Sequence, residues 1–143
     1  GWSRNSVAKI SSLMGNSCMP SKLCVLLANT DPERPVEVGA PLFQAAVAAS
    51  MDYQVDVVLT GAPGILMKKG VAEKLILKPD SGKTAYDFIK MAHKAGARFL
   101  LCAATADLHN LKKEDLIPEC DGLAAVTEYV AELMDDECRV LTF

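Results

Sequence analysis

The sequence predicts one three-layer α/β/α domain with a mostly parallel sheet of about five strands. Three observations carry that reading. Short apolar runs at 22–29, 54–60 and 98–103 lack sustained alternation, as strands buried on both faces do. Segments with helical spacing separate these runs, so each connection must cross the sheet and return in the same direction. The 143 residues, half of them apolar and 23% charged, amount to one domain with a core of ordinary size and no need of covalent staples.

The elements follow in order. Residues 1–21 are an N-terminal arm, polar and small with scattered Val7, Ile10, Leu13 and Met14, with room for a short docking helix; residues 22–143 are the domain. Lys22 to Asn29 is the first strand, broken by Thr30-Asp31-Pro32. Glu33 to Met51 carries a helical stripe through Leu42, Phe43, Ala46, Val47 and Ala49; Pro35 suits its start, and Pro41 must sit in an early turn or kink it. Gln54 to Thr60 is the second strand, ended by Gly61-Ala62-Pro63-Gly64, and a helix is expected from Ile65 to about Leu75. After the turn at 79–82, Thr84 to Ala95 places Tyr86, Phe88, Ile89 and Ala92 on helical spacing, and Gly96 caps it. Arg98 to Ala103 is the third strand. A short helix over Thr105–Leu111, a short strand over Gly122–Val126, a helix over Glu128–Met134 with Thr127 as its N-cap, and a last strand over Cys138–Phe143 complete the chain. No linker, low-complexity tract or internal repeat justifies a second domain.

Composition excludes several functions. No apolar run approaches the ~20 residues of a membrane span. The net charge of −3 argues against a broad electrostatic grip on nucleic acid. Five cysteines, an odd number with no C-x-x-C, form no disulfide framework. With no secretory signal in the first residues, a reducing cytoplasm is the expected compartment.

In an open parallel sheet, reactive groups gather outside the carboxyl ends of the strands. That places Asn29, Thr30 and Asp31 after the first strand, Thr60 to Gly64 after the second and Cys102 after the third. Cys102 is the one ready nucleophile, since a following helix and the Lys112-Lys113 pair favour a thiolate. The plain alternative is one more buried thiol. Cys24 and Cys138 read as core fillers, Cys18 lies in the arm, and Cys120, in a partly exposed turn, is the one plausible resolving partner. Other motifs fail. Ser81-Gly82-Lys83-Thr84 has Leu77 where a phosphate-binding loop needs glycine, and Gly61–Gly64 lacks the G-x-G-x-x-G spacing, though it could line a pocket beside Cys102. The Pro and Thr that precede a peroxidatic cysteine are Ala95 and Phe99 here. His93 reads as a helix-edge residue. His109 lies about two helical turns past Cys102, ~10 Å in a regular helix and too far for direct proton transfer. The two histidines make no zinc set, and Asp135-Asp136-Glu137 reads as a solvated helix end.

Four segments together resemble a known family: Leu26-Leu-Ala-Asn-Thr-Asp31, Asp56-Val-Val-Leu-Thr-Gly61, Leu101-Cys102 through Lys112-Lys-Glu-Asp-Leu116, and Cys138-Arg-Val-Leu-Thr-Phe143. From about Lys22 to Phe143 the chain resembles the DsrE/DsrF-like sulfur-relay proteins, which include the Tus-type sulfur carriers. The resemblance implies a homotrimer or hexamer in which Cys102 accepts sulfane sulfur as a persulfide and passes it to a partner thiol. Donors and acceptors would be proteins or small sulfane-sulfur compounds, and no metal or organic cofactor is implied. By that match Cys102 is the residue carried over; the reading of the strand ends adds Asn29, Thr30, Asp31, Gly61, Gly64 and Thr105 as candidate binding residues, with Cys120 as possible resolving thiol. Ala104 and Ala106 supply no hydroxyl, so Thr105 alone does so directly after Cys102. Two alternatives stay open: a non-catalytic oligomeric interaction subunit, and a small-molecule or nucleotide pocket built on Asn29, Asp31 and the Gly61–Gly64 amides.

Overall fold

The structure, a computed structural model, describes residues 21–143; the N-terminal arm and Cys18 lie outside the described residues. Five parallel strands form the sheet: β1 (Lys22–Leu27), β2 (Gln54–Leu59), β5 (Arg98–Cys102), β6 (Cys120–Ala124) and β7 (Cys138–Thr142). Their order is β6-β5-β2-β1-β7. Four α-helices connect them: α1 (Pro35–Ser50), α2 (Ala85–Ala95), α3 (Ala103–Leu108) and α4 (Val126–Leu133). β3 (Ile76–Lys78) and β4 (Lys83–Thr84) form a separate antiparallel hairpin.

Strand alternation divides the core. Val25, Leu27, Val55, Val57, Leu59, Phe99 and Leu101 bury against α1 and α2 on one face. Cys24, Val58, Cys102 and Ala124 turn to the other face, where Tyr129 of α4 covers them. α2 begins on a reciprocal capping box between Thr84 and Asp87 and ends at Gly96, whose φ of 116° suits only glycine well. α1 runs through Pro41, which is buried in its stripe.

Three sequence expectations are corrected. The helix over Ile65–Leu75 does not form. Two 3-10 turns, Ala62–Met67 and Ala72–Lys74, take its place, followed by the β3–β4 hairpin. Gly70 adopts φ 87°, which no regular helix accommodates, and the backbone bonds elsewhere: Ile117 N–H donates to Met67 O and Lys69 N–H to Asp115 O. Thr127 is not a cap; α4 starts at Val126 after Ala125, with no side-chain capping bond. The short helix begins at Ala103 rather than Thr105, directly off the strand, and Asn110 at φ 53° turns the chain after it.

Candidate functional site

Cys102 ends β5 and stands at the N-cap of α3. Leu101 points into the main core, so Cys102 points to the α4 face, where it is 2% exposed. Register supplies its first neighbour. Leu59 pairs with Leu101, so Thr60, one step on, lies beside Cys102. Thr105, one turn into α3, sits within 3.2 Å of Thr60, hydroxyl to hydroxyl, and its Oγ1 accepts the Gly61 N–H at 2.9 Å. From across the sheet face, the Tyr129 hydroxyl donates to Cys102 Sγ at 3.7 Å.

Three hydroxyls therefore surround one sulfur. Burial pushes the Cys102 thiol up, but the Thr105 amide and hydroxyl, with the Thr60 and Tyr129 hydroxyls, outweigh it and bring the thiol down to about 7. About half the chains would carry a thiolate at neutral pH, against a few per cent for a free cysteine. Burial, and then the bond to Cys102, push the Tyr129 phenol up, which keeps it a donor. The other described cysteines move the opposite way. Burial drives Cys24 up to about 12 and raises Cys120 and Cys138 as well.

The remaining sequence candidates divide. Thr105 is at the centre. Gly61 is adjacent, but its N–H is given to Thr105 and its carbonyl bonds His109 Nε2 at 2.9 Å, so neither is left for a ligand. At Gly64 a Cβ would fall 2.4 Å from Thr105 Cγ2 and 3.1 Å from Leu101 Cδ1. The Gly61–Gly64 loop thus packs onto α3 at the strand ends. Asn29 and Asp31 belong elsewhere. β1 is separated from β5 by β2; Asn29 N–H bonds Phe143 O, and the Asp31 carboxylate accepts the Glu33 N–H in the turn into α1. Thr30 is buried in that same turn.

Within one chain, Cys120 cannot resolve Cys102. It pairs with Phe99, whereas Cys102 pairs with Ala124 four residues further along, roughly 13 Å at ~3.3 Å per residue. A disulfide needs Cα atoms within ~7 Å. Lys112 and Lys113 are not among the leading groups that move the Cys102 thiol. Sequence reasoning met Thr60 only as the first residue of a loop and missed Tyr129 altogether. Among the described residues, no group of three or more His, Cys, Asp or Glu could hold a metal.

The sequence profile of the DsrE/DsrF/DrsH-like family matches residues 65–141, more than half of the chain, with Cys102, Thr105 and Tyr129 inside the match. The chain belongs to the DsrE/DsrF/DrsH-like family. Its fold is similar to that of the ychN protein from E. coli, with a TM-score of 0.68 and 16% identity over 87% of this chain and all of that one. It is also similar to MTH1491 of Methanobacterium thermoautotrophicum, a protein described as of unknown function, with a TM-score of 0.61 and 12% identity over 85% of this chain and 98% of the other. At such identities these likenesses establish the fold. No curated protein sequence matches the chain. Family membership suggests a sulfur-relay role, and no described helix is long and apolar enough to cross a membrane.

Proposed function

We propose that the chain is an intracellular sulfur carrier that holds sulfane sulfur as a persulfide on Cys102 and yields it to an acceptor thiol. The observation that carries this is the three-hydroxyl setting of Cys102, the one described cysteine whose thiol is pulled down, to about 7. In loading, the Cys102 thiolate attacks the outer sulfur of a donor R–S–SH; the new S–S bond forms as the donor S–S bond breaks, giving Cys102–S–SH and R–S⁻. In unloading, an acceptor thiolate attacks that outer sulfur and Cys102–S⁻ departs. No net oxidation occurs in either step. The Tyr129, Thr105 and Thr60 hydroxyls stabilise Cys102–S⁻ both as nucleophile and as leaving group, and nothing in the cycle calls for a metal or organic cofactor.

Donor and acceptor are proteins or small sulfane-sulfur compounds, and the working form is a homo-oligomer, a trimer or hexamer. Exposed Leu123, Val126, Val130 and Met134 on β6, α4 and the turn after it support the assembly. The second reading, a non-catalytic interaction subunit with an inert thiol, is favoured by one observation, the 2% exposure of Cys102. Intact mass after incubation with glutathione persulfide separates the two. A carrier gains one sulfur that reductant removes and that the Cys102→Ser variant never acquires. No gain in the native chain leaves the interaction subunit.

A further inference from the structure

A sulfur donor has to reach a cysteine that is 2% exposed. At the carboxyl ends of the strands, Thr60, Gly61, Gly64, Thr105 and His109 bond and pack against one another. The other side of Cys102 faces α4. Parallel register sets Gly122 beside Leu100 and Ala124 beside Cys102, and partners across a parallel ladder point to the same face. Both β6 partners are small. Beneath α4 they border a cavity of about 460 Å³ that reaches from Ala124 and Tyr129 past Leu100 and Gly122 to the charged Lys22, Arg98, Asp121, Glu128 and Glu132. A Cβ added at Gly122 would meet nothing within 4 Å, so a larger side chain there has room to enter this space. Cys102 does not itself line the cavity. Tyr129 does, and its hydroxyl reaches Cys102 Sγ at 3.7 Å, so the phenol ring is the partition between the cavity and the sulfur.

We infer that the cavity under α4 is the route by which a sulfur-bearing thiol reaches Cys102, with Gly122 on its wall and Tyr129 as the partition that moves aside. This rests on the carrier reading for its physiological ligand, a persulfide borne on a thiol, but the route itself can be probed with any thiol reagent. The space suits such a ligand in size: its volume lies within the ~300–1,000 Å³ of ordinary small-molecule sites.

The experiment measures Cys102 alkylation by iodoacetamide, peptide by peptide, and sulfur uptake from glutathione persulfide by intact mass, on the full chain. Gly122→Trp fills the cavity and should slow both at least tenfold, with Gly122→Leu intermediate. Ile76→Trp, on the exposed β3 hairpin, is the control and should change neither. Tyr129→Ala removes the partition and should raise the alkylation rate several-fold at a pH where Cys102 is fully ionised. Melting curves establish that each variant is folded. A folded Gly122→Trp that alkylates at the native rate overturns the route. Should that variant fail to fold, an unchanged limiting rate in Tyr129→Ala overturns it instead. If the native chain alkylates at Cys102 but never gains sulfur, the carrier reading fails and the alkylation series still decides the route. If native and Gly122→Trp chains load sulfur equally fast, the route fails and the carrier reading stands.

Discussion

At Cys102 the balance is between burial, which favours the neutral thiol, and donors to the sulfur, which favour the thiolate. Removing one donor should tip it measurably. Tyr129→Phe keeps the ring and loses the O–H, so the alkylation midpoint should rise from about 7 by roughly one pH unit, with the rate at neutral pH falling up to about tenfold and the alkaline plateau unchanged. An unmoved midpoint would show that the Thr105 and Thr60 groups suffice. The same shift has a stability consequence. A thiol at about 7 when folded and near its ordinary 9.0 when unfolded loses its proton first in the native state. Its contribution is thus absent below pH 7, grows between 7 and 9 and is complete above 9, with an upper bound of about 3 kcal/mol. Denaturant unfolding across that range should lose this rise in Cys102→Ser. Cys24, at about 12 when folded, opposes it above pH 9. Cys102 was legible in the sequence because its strand-end position and flanking family segment are local. Tyr129 was not, because it stands 27 residues on and reaches the sulfur only after β6 and α4 are in place.

Among the elements, legibility follows how locally each is determined. α2 was readable to within a residue because Thr84, Asp87 and Gly96 are its own end signals. The stretch from 62 to 84 was misread because the partners of its backbone lie far along the chain, in the loop near Asp115 and Ile117. The strands were readable as apolar runs, though the polar Asp56 inside β2 hid a buried ionic site: Arg98 grips it with two bonds, at 3.0 and 2.8 Å, and Lys22 lies at 3.5 Å. Asp56→Ala should cost about 3 kcal/mol in denaturant unfolding, because it strands Arg98 at the sheet and leaves Lys22 with Glu132, at 3.0 Å. A loss below about 1 kcal/mol would mean that the partly exposed cations recover their hydration at little cost. The two glycines near the site offer a contrast. Gly64→Ala drives a methyl into Thr105 and should destabilise by about 1–3 kcal/mol while raising the Cys102 midpoint, because Thr105 must turn away from the sulfur. Gly122→Ala, with nothing within 4 Å, should do neither.

On the scale of the whole molecule, the two faces of the sheet are unequal. α1 and α2 cover one face with the larger core, whereas among the described residues the other carries α4 and the smaller cluster around Cys102. Exposed Val126, Val130 and Met134 on and beside α4 offer this face to another subunit, as Val36, Phe43 and Met91 do on α1 and α2. Light scattering in reducing buffer should give a trimer or larger, and Val130→Lys with Met134→Lys should shift it to smaller species; a monomer at micromolar concentration in the native chain would remove the assembly. The α/β class and the parallel sheet were legible from alternation of strands and helices. The uneven covering was not, since which side each helix takes is settled by packing. The most direct test of sulfur carriage is cyanolysis of the loaded, desalted protein, in which cyanide takes the outer sulfur of a persulfide as thiocyanate and returns the thiolate. The expected result is thiocyanate approaching one equivalent per chain from the native protein and none from Cys102→Ser. Absence of thiocyanate from the loaded native chain, or an equal yield from the variant, would contradict the assignment of sulfur to Cys102.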